Sequence, residues 1–261
     1  MNVSQASIVY DCYKRAQVAQ DIAPDDVMFN SGQDWYFDVG ESALNCILSA
    51  LTYSRLKTVG SMLDLPCGHG RVARHLRAAF PDAEFAVCDI DPAGIAFCAT
   101  TFNARPIQSA PDLTSVNLAG TFDLIWIGSL FTHVDRVRTE RWLRFLCQHL
   151  SRNGILLASF HGSFARDVHL RHYPMIGAAE WARIEHQCAS TGYGYEPYPE
   201  QDYGISISRA ATIVDMACEI PGTRLLSYTE RGWAEHHDVI AIARTDRAED
   251  WQSASNRYPP D

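Results

Sequence analysis

Lysine is nearly absent from this 261-residue sequence, which has only Lys14 and Lys57 and carries a formal net charge of −9. Its arginines are scattered, so no dense basic stripe is available to neutralise nucleic-acid phosphates. Arg71, Arg74 and Arg77 recur at helical spacing, a pattern that favours a solvated helix face over a binding patch. Nucleic acid is therefore not expected as a partner.

The sequence also lacks the patterns of disulfide-bonded, exported and membrane-spanning proteins. Its eight cysteines include no C-x-x-C pair and mostly fall within apolar runs, so we expect buried free thiols. No apolar run approaches the roughly eighteen residues of a membrane span. Residues 1–20 lack a basic start followed by an apolar stretch. These absences predict a cytoplasmic protein with no membrane partner.

The most informative segment of the chain is MLDLPCGHGRVARHL, at residues 62–76. Its pattern predicts a buried strand, a glycine-rich turn and a helix, at residues 59–65, 67–70 and 71–80. Gly68 and Gly70 would let backbone N–H groups approach a ligand closely. Asp89 ends the next predicted strand, where a carboxylate can accept hydrogen bonds from both hydroxyls of a ribose. This arrangement predicts a pocket for a nucleoside cofactor.

With Asp64, Gly68 and Gly70 aligned on the first motif of that family, the chain resembles the class I S-adenosylmethionine-dependent methyltransferases. The resemblance is strong over residues 57–160 and reaches weakly to residues 237–244. It implies an enzyme that uses S-adenosylmethionine as its cofactor. Methyl transfer from a sulfonium is an in-line displacement with a neutral leaving group, so positioning is expected to supply most of the catalysis.

The resemblance also implies a set of cofactor contacts after the first four strands of the core. Ile90 would pack on the adenine face or cover the core, and the Ser109 hydroxyl would contact the adenine. Pro66 stands where the family has its first glycine, and because proline has no N–H the turn would lose one donor. The implied positions are Asp64, Pro66, Cys67, Gly68, Gly70, Asp89, Ile90, Ser109, Ala110, Gly128 and Ser129.

Two other functions are compatible with parts of this pattern. Residues 68–73 also fit the G-x-G-x-x-A form of the dinucleotide fingerprint, so an NAD-dependent oxidoreductase is one alternative. The run FDLIWIGSLFTH at residues 122–133 and the Asn153–Gly154 turn favour the methyltransferase. Because Pro66 departs from the first motif, a non-catalytic S-adenosylmethionine-binding or scaffold domain is the other alternative.

Strand and helix patterns alternate regularly after residue 56, which predicts a parallel sheet wound by right-handed crossovers. Later strands are predicted at residues 84–89, 105–108, 122–128, 154–160, 223–229 and 237–244. The resemblance implies an α/β, Rossmann-like, seven-stranded sheet that is mostly parallel with an antiparallel last strand, and helices on both faces. Helical spacing at residues 4–20 and 41–53 adds a helical N-terminal cap.

The chain is expected to divide into three parts: a cap at residues 1–55, the methyltransferase core at 56–245 and a polar tail at 246–261. Within the core, the His- and Tyr-rich residues 162–206 would form an insertion over the active site. Its tyrosines at positions 193, 195, 198 and 203 have the spacing of a loop that wraps an acceptor or packs the insertion down. Trp35, Tyr36 and Phe37, between the two cap helices, would line the cleft or pack on the sheet.

His133 and His161 are the candidate catalytic residues, because each follows a predicted strand whose carboxyl end faces the ligand cleft in an open α/β sheet. A neutral imidazole suits proton removal near pH 7. Alternatively, His133 caps a helix and His161 bonds to loop backbone. GSLF at residues 128–131 replaces the [DN]-P-P-[FY] of relatives that methylate base or glutamine amide nitrogens. An oxygen, nitrogen or carbon atom of a small molecule is therefore the expected acceptor.

His169 and His172 of the insertion could share a helix face and bind a metal with Asp167 or Glu180. Surface histidines on such a helix are commoner than ligands, and methyl transfer needs no metal unless a catechol-like acceptor must be held. We therefore predict no metal site. The sequence does not indicate an oligomeric state.

Overall fold

The computed structural model describes residues 5–31 and 33–245, and a seven-stranded sheet is its main element. The strands are β1 (Ser61–Leu65), β2 (Glu84–Asp89), β3 (Arg105–Gln108), β4 (Phe122–Ile127), β5 (Leu150–Phe160), β6 (Tyr193–Pro197), β7 (Gly204–Ser208), β8 (Thr223–Trp233) and β9 (His237–Arg244). The order in the main sheet is β3-β2-β1-β4-β5-β9-β8. Strand β9 is antiparallel to both of its neighbours, and β1 to β5 are parallel. The predicted α/β architecture is confirmed, and the predicted tail at residues 246–261 lies outside the described residues.

Helices cover both faces of this sheet. They are α1 (Gln5–Arg15), α2 (Gln33–Tyr53), α3 (Ala73–Ala79), α4 (Pro92–Thr101), α5 (Arg136–Gln148), α6 (Ser163–Arg171), α7 (Ala178–Thr191) and α8 (Ala210–Cys218). Helices α1 to α4 contribute to the core on one face, and α5 and α8 to the core on the other. Because both faces are covered, the central strands are apolar on both sides rather than alternating. Within the described residues, no helix combines the length and apolarity needed to cross a membrane.

Helix α2 begins at Gln33, earlier than the predicted start at residue 41, so the three aromatic residues expected between helices lie in its first turns. Tyr36 explains the extension. Its side chain is fully buried, its hydroxyl donates a 2.6 Å hydrogen bond to Asp26, and its ring lies 5.2 Å from the Arg74 guanidinium. Trp35, by contrast, is 49% exposed.

The expectation that the arginines around α3 form a solvated face is wrong. Arg74 is 1% exposed and donates hydrogen bonds to the carbonyl oxygens of Gly70, Ala19 and Asp21. These bonds tie the chain before α2 to the turn after β1. A buried guanidinium is tolerated here because backbone carbonyls take its donors.

The insertion has regular structure of its own. It contains α6, α7 and the antiparallel hairpin β6–β7, around a small apolar core. The loop expected from the tyrosine spacing is wrong for Tyr193 and Tyr195, which lie in β6. Tyr198 and Tyr203 lie between the two strands, with ring centroids 5.5 Å apart. The division of the chain at residues 55, 162 and 206 stays a prediction.

Strand β7 fastens the insertion to the main sheet. Its backbone N–H groups at Gly204, Ser206 and Ser208 donate to the carbonyl oxygens of His133, Thr132 and His161, in that order, each over 2.9 Å. His133 follows β4 and His161 follows β5. The insertion therefore lies against the carboxyl ends of these strands, where the sequence predicts the acceptor site.

Candidate active site

The glycine-rich turn after β1 depends on two glycines for different reasons. Gly68 and Gly70 have φ angles of +48° and +86°, in the left-handed region that favours glycine. A Cβ at Gly70 would lie 2.3 Å from the Phe102 ring, so Gly70 permits close packing of α4. A Cβ at Gly68 would meet no atom within 4 Å. Gly68 therefore borders open space that a ligand can occupy.

Cys67 and Pro66 complete this turn. The Cys67 N–H donates to the Cys88 carbonyl over 3.0 Å, which links the turn to β2. A hydrogen bond with the Cys98 thiol, followed by burial, raises the pKa of the Cys67 thiol. Cys67 is therefore a protonated, structural thiol, whereas the Pro66 ring faces the neighbouring cavity.

Asp89 holds the turn and the start of α4 together from the end of β2. Its two carboxylate oxygens accept hydrogen bonds from the N–H groups of Gly68, over 2.7 Å, and Asp91, over 3.0 Å. A carboxylate oxygen has two acceptor positions, so each can take a second donor from a ligand. The Asp89 carboxylate borders the cavity described below, as expected for a ribose acceptor.

Asp64, at the end of β1, differs from Asp89 because its carboxylate has no partner. It is 1% exposed, and neither of its oxygens accepts a hydrogen bond from any described residue. Burial raises its pKa well above 3.8, nearby Asp89 adds to the shift, and Arg71 opposes it. A buried acceptor without a donor is costly, and a ligand that brings N–H groups would satisfy it.

A cavity of about 440 Å³ lies beside the ends of β1 to β4. It brings together seven of the predicted cofactor-binding and catalytic residues: Pro66, Asp89, Ile90, Ser109, Ala110, Ser129 and His133. Ile90 is 60% exposed at its edge, a position from which it can cover a planar ring. The Ser109 N–H donates to the Asp89 carbonyl over 2.8 Å, which fixes the loop after β3.

Gly128 and Ser129 form the turn after β4. A Cβ at Gly128 would lie 2.8 Å from Trp126 Nε1 and 3.0 Å from the Trp233 ring, so only glycine fits between these indoles. Ser129 has a φ of +60°, and its N–H donates to the Ser159 hydroxyl over 2.7 Å. The turn is therefore fixed to β5, and it leads directly to His133.

His133 is held with one ring nitrogen toward the insertion. Its Nδ1 lies 2.7 Å from the Gly204 carbonyl oxygen, which can only accept, so Nδ1 carries the proton. Burial lowers the His133 pKa, although this hydrogen bond partly opposes the shift. The imidazole is therefore neutral near pH 7, and its Nε2 has a free lone pair.

His161 lies deeper than His133, with a 6.5 Å separation of the ring centroids. Its Nδ1 is 3.2 Å from the Ser206 carbonyl oxygen, so its Nε2 also has a free lone pair. Burial, together with His133 and His236, lowers the His161 pKa to about 3. His161 is thus a much weaker base than an ordinary histidine.

Several residues of this region are not among the predicted cofactor-binding and catalytic residues. His236 and His237, at the start of β9, pack on His161 with ring centroids 5.6 and 4.9 Å away. Arg71 lies over the rings of Trp35 and Trp233. The only sequence signal for these two histidines is that they are adjacent and precede a strand. Because they lie far from His161 in the chain, this signal does not predict that the three rings meet.

The sequence predicts that His169 and His172 of the insertion lie on the protein surface, and His169 does not. His169 is buried rather than on the surface, stacked on Trp181 at 3.5 Å, and its Nδ1 accepts the Met175 N–H over 2.9 Å. Among the described residues, His169 and His172 belong to no group with metal-binding geometry.

Comparison with known proteins identifies the class of domain. Residues 63–156 match the family model of a methyltransferase domain. These residues thus form a methyltransferase domain, which makes the chain an enzyme with S-adenosylmethionine as its cofactor. No curated protein matches the sequence at a significant level.

Solved structures of low identity share the fold. The sugar N-methyltransferase KedS8 from a Streptoalloteichus species is 16% identical over 94% of this chain and 99% of its own, with a TM-score of 0.57. An S-adenosylmethionine-dependent methyltransferase from Clostridium acetobutylicum is 12% identical over 85% and 96%, with a TM-score of 0.51. Magnesium protoporphyrin IX methyltransferase from Synechocystis, solved with S-adenosylhomocysteine, is 12% identical over 92% and 96%, with a TM-score of 0.52.

Proposed function

We propose that this enzyme transfers the methyl group of S-adenosylmethionine to an oxygen, nitrogen or carbon atom of a small molecule, with His133 as the base. The observation that carries the proposal is the position of His133 on the same cavity as Asp89, Ile90 and Ser109. The proposed cofactor contacts and a neutral imidazole thus line the same cavity.

The cofactor fits the polar groups that the protein leaves unsatisfied. The bound sulfonium supplies an activated methyl group, and the chain's residues hold the rest of the molecule. Asp64 would accept from the ammonium group, which would also favour its charged form. Asp89 would accept from the ribose hydroxyls, with Gly68 providing room and Ile90, Ser109 and Ala110 around the base. Pro66 and Ser129 would complete this wall.

His133 is better suited than His161 to remove a proton from the acceptor. Its Nδ1–H bond to Gly204 orients the ring and leaves Nε2 as the basic atom. The pKa of about 3 at His161 makes that residue too weak a base near neutral pH, so we assign it to acceptor contact or to positioning. A carbon or amine acceptor that has already lost its proton would need positioning alone.

The insertion is proposed to enclose the acceptor. Tyr203 lines the cavity and lies 6.1 Å from the His133 ring, and Tyr198 lies 6.4 Å from it. Their rings would exclude water from the transferred methyl group. The sugar N-methyltransferase KedS8, which is similar over most of both chains, supports a small-molecule acceptor.

Calorimetric titration with S-adenosylhomocysteine and with NAD tests the cofactor, and methyl-labelled S-adenosylmethionine tests transfer to panels of small alcohols, phenols, amines and acidic carbon compounds. We expect S-adenosylhomocysteine to bind, NAD not to bind, and label to appear in at least one panel. Binding of NAD alone would contradict the proposal. Cofactor binding without transfer to any panel would favour the scaffold alternative.

A further inference from the structure

Three histidine rings meet beside the ends of β5 and β9. His161 follows β5, His236 lies in the turn before β9, and His237 is the first residue of β9. One ring nitrogen from each lies within 4.8 Å of those of the other two. The ring centroids are separated by 4.9, 5.0 and 5.6 Å, so the three rings form a nearly regular triangle.

These separations match three imidazoles around one metal ion. A zinc–nitrogen bond of about 2.0–2.1 Å places a ring centroid roughly 3.2 Å from the ion, and a tetrahedral angle then separates two centroids by about 5.2 Å. The observed values lie on both sides of that distance.

The nitrogens left free by the protein are those that an ion would need. His161 donates its Nδ1–H to the Ser206 carbonyl, the arrangement by which metal-binding histidines are commonly oriented, so Nε2 remains for the ion. His237 Nδ1 is buried and has no hydrogen-bond partner among the residues that the structure describes. A cation would satisfy this nitrogen.

The charged groups around the three rings are of both signs. Asp238 contributes negative charge near His236, whereas Arg231 contributes positive charge there and Arg71 does so near His237.

We propose that His161, His236 and His237 form a binding site for a divalent transition-metal ion, with Zn²⁺ the best match to three nitrogen ligands. Three protein ligands leave one tetrahedral position for water or for an oxygen of a bound molecule. The proposed base His133 lies near this site, with its ring centroid 6.5 Å from that of His161. The site shares His161 with the proposed acceptor side, but its test measures metal binding and does not depend on methyl transfer.

The test uses the metal-stripped 261-residue chain and four variants: His236→Ala, His237→Ala, His236→Gln and, as a matched control, His186→Ala on the exposed face of α7. Zn²⁺ is titrated by calorimetry, and Co²⁺ is added separately to record visible absorption. Thermal unfolding without metal and binding of S-adenosylhomocysteine check that each variant folds. If His236→Ala does not fold, His236→Gln replaces it, because glutamine has a side chain of similar volume to histidine.

We expect one Zn²⁺ per parent chain and an intense, tetrahedral-type Co²⁺ spectrum. Loss of a ligand should weaken Zn²⁺ binding by more than about 100-fold, beyond the roughly 10- to 100-fold effect of removing a group that only orients a ligand. His186→Ala should match the parent. The proposal is overturned if the parent binds no zinc, if the His236 and His237 variants bind as the parent does, or if the parent's Co²⁺ spectrum is octahedral.

Discussion

The two sides of the cleft satisfy their polar groups in different ways. The nucleoside side, formed by Gly68, Asp89 and Ser109, uses backbone N–H groups and carboxylate oxygens that are already bonded to each other. The histidine side, formed by His133, His161 and His237, contains neutral rings whose second nitrogen is free or unpartnered. In the proposed arrangement, the nucleoside side holds a ligand in place, and the histidine side exchanges protons or binds a cation.

This difference between the two sides predicts which mutations affect cofactor binding and which affect the chemical step. A change on the nucleoside side should lower cofactor affinity, because its groups contact the cofactor in the proposed arrangement. A change on the histidine side should lower turnover and leave cofactor affinity nearly constant. A residue that affects both equally would mean that the two sides form one site.

His133→Ala should give the largest effect and is the sharpest test of this separation. Loss of a general base lowers turnover by roughly 10² to 10⁴. Cofactor affinity, measured by calorimetry, should stay nearly constant. Because burial lowers the His133 pKa, parent activity should stay on its plateau as the pH falls through 6.5 and decline only below it.

The control for this prediction is His186→Ala, which removes an exposed histidine that does not line the cavity. It should turn over a verified acceptor at the parent rate. A His133→Ala variant that also matches the parent would show that the acceptor needs no base at this position. Equal losses of turnover and cofactor affinity would instead break the distinction between the two sides.

The nucleoside side could be predicted from the sequence because its parts are close in the chain. Strand β1, the glycine turn and α3 fall within residues 61–79, and Asp89 ends the next strand. Hydrophobic periodicity reports such local elements directly. The same locality explains why the sequence predicts each of the strands β1 to β5.

The histidine side could be predicted only in part, because distant segments meet there. His133 and His161 follow predicted strands, but His236 and His237 reach them through the antiparallel pairing of β9 with β5. Arg74 shows the same limit: its spacing resembles a solvated face, yet the carbonyls that bury it belong to residues more than fifty positions away. No local pattern encodes either contact.

Asp89→Asn should give the next largest effect, on the nucleoside side. Replacing a carboxylate in charge-assisted hydrogen bonds weakens binding by about 1.5 to 3 kcal/mol, or roughly 10- to 150-fold. The amide keeps one acceptor for the Gly68 or Asp91 N–H, so the turn should be retained. Titration with S-adenosylhomocysteine measures the loss, with the exposed Asp82→Asn as control.

Unchanged affinity in Asp89→Asn would mean that Asp89 only holds the turn. A loss of turnover at saturating cofactor, without a loss of affinity, would show that Asp89 acts in the chemical step, as proposed for the histidine side. Both results can be distinguished from misfolding, because thermal unfolding of the ligand-free variant reports on the turn itself.

Asp64→Asn should give the smallest effect, and it concerns stability rather than turnover. Because burial raises the Asp64 pKa well above 3.8, the folded, ligand-free protein binds a proton that the unfolded chain has released. The free energy of unfolding therefore has its full Asp64 contribution below pH 3.8 and loses it as the pH rises through the raised pKa. The slope from one such group is at most about 1.4 kcal/mol per pH unit.

The Asp64→Asn variant has no carboxyl group at this position and does not lose this stability. Its free energy of unfolding should therefore rise relative to that of the parent as the pH rises across that interval. Urea unfolding measures the difference, with Asp82→Asn as control. Parallel pH profiles would show that Asp64 is already paired, and the proposed contact with the cofactor ammonium would lose its basis.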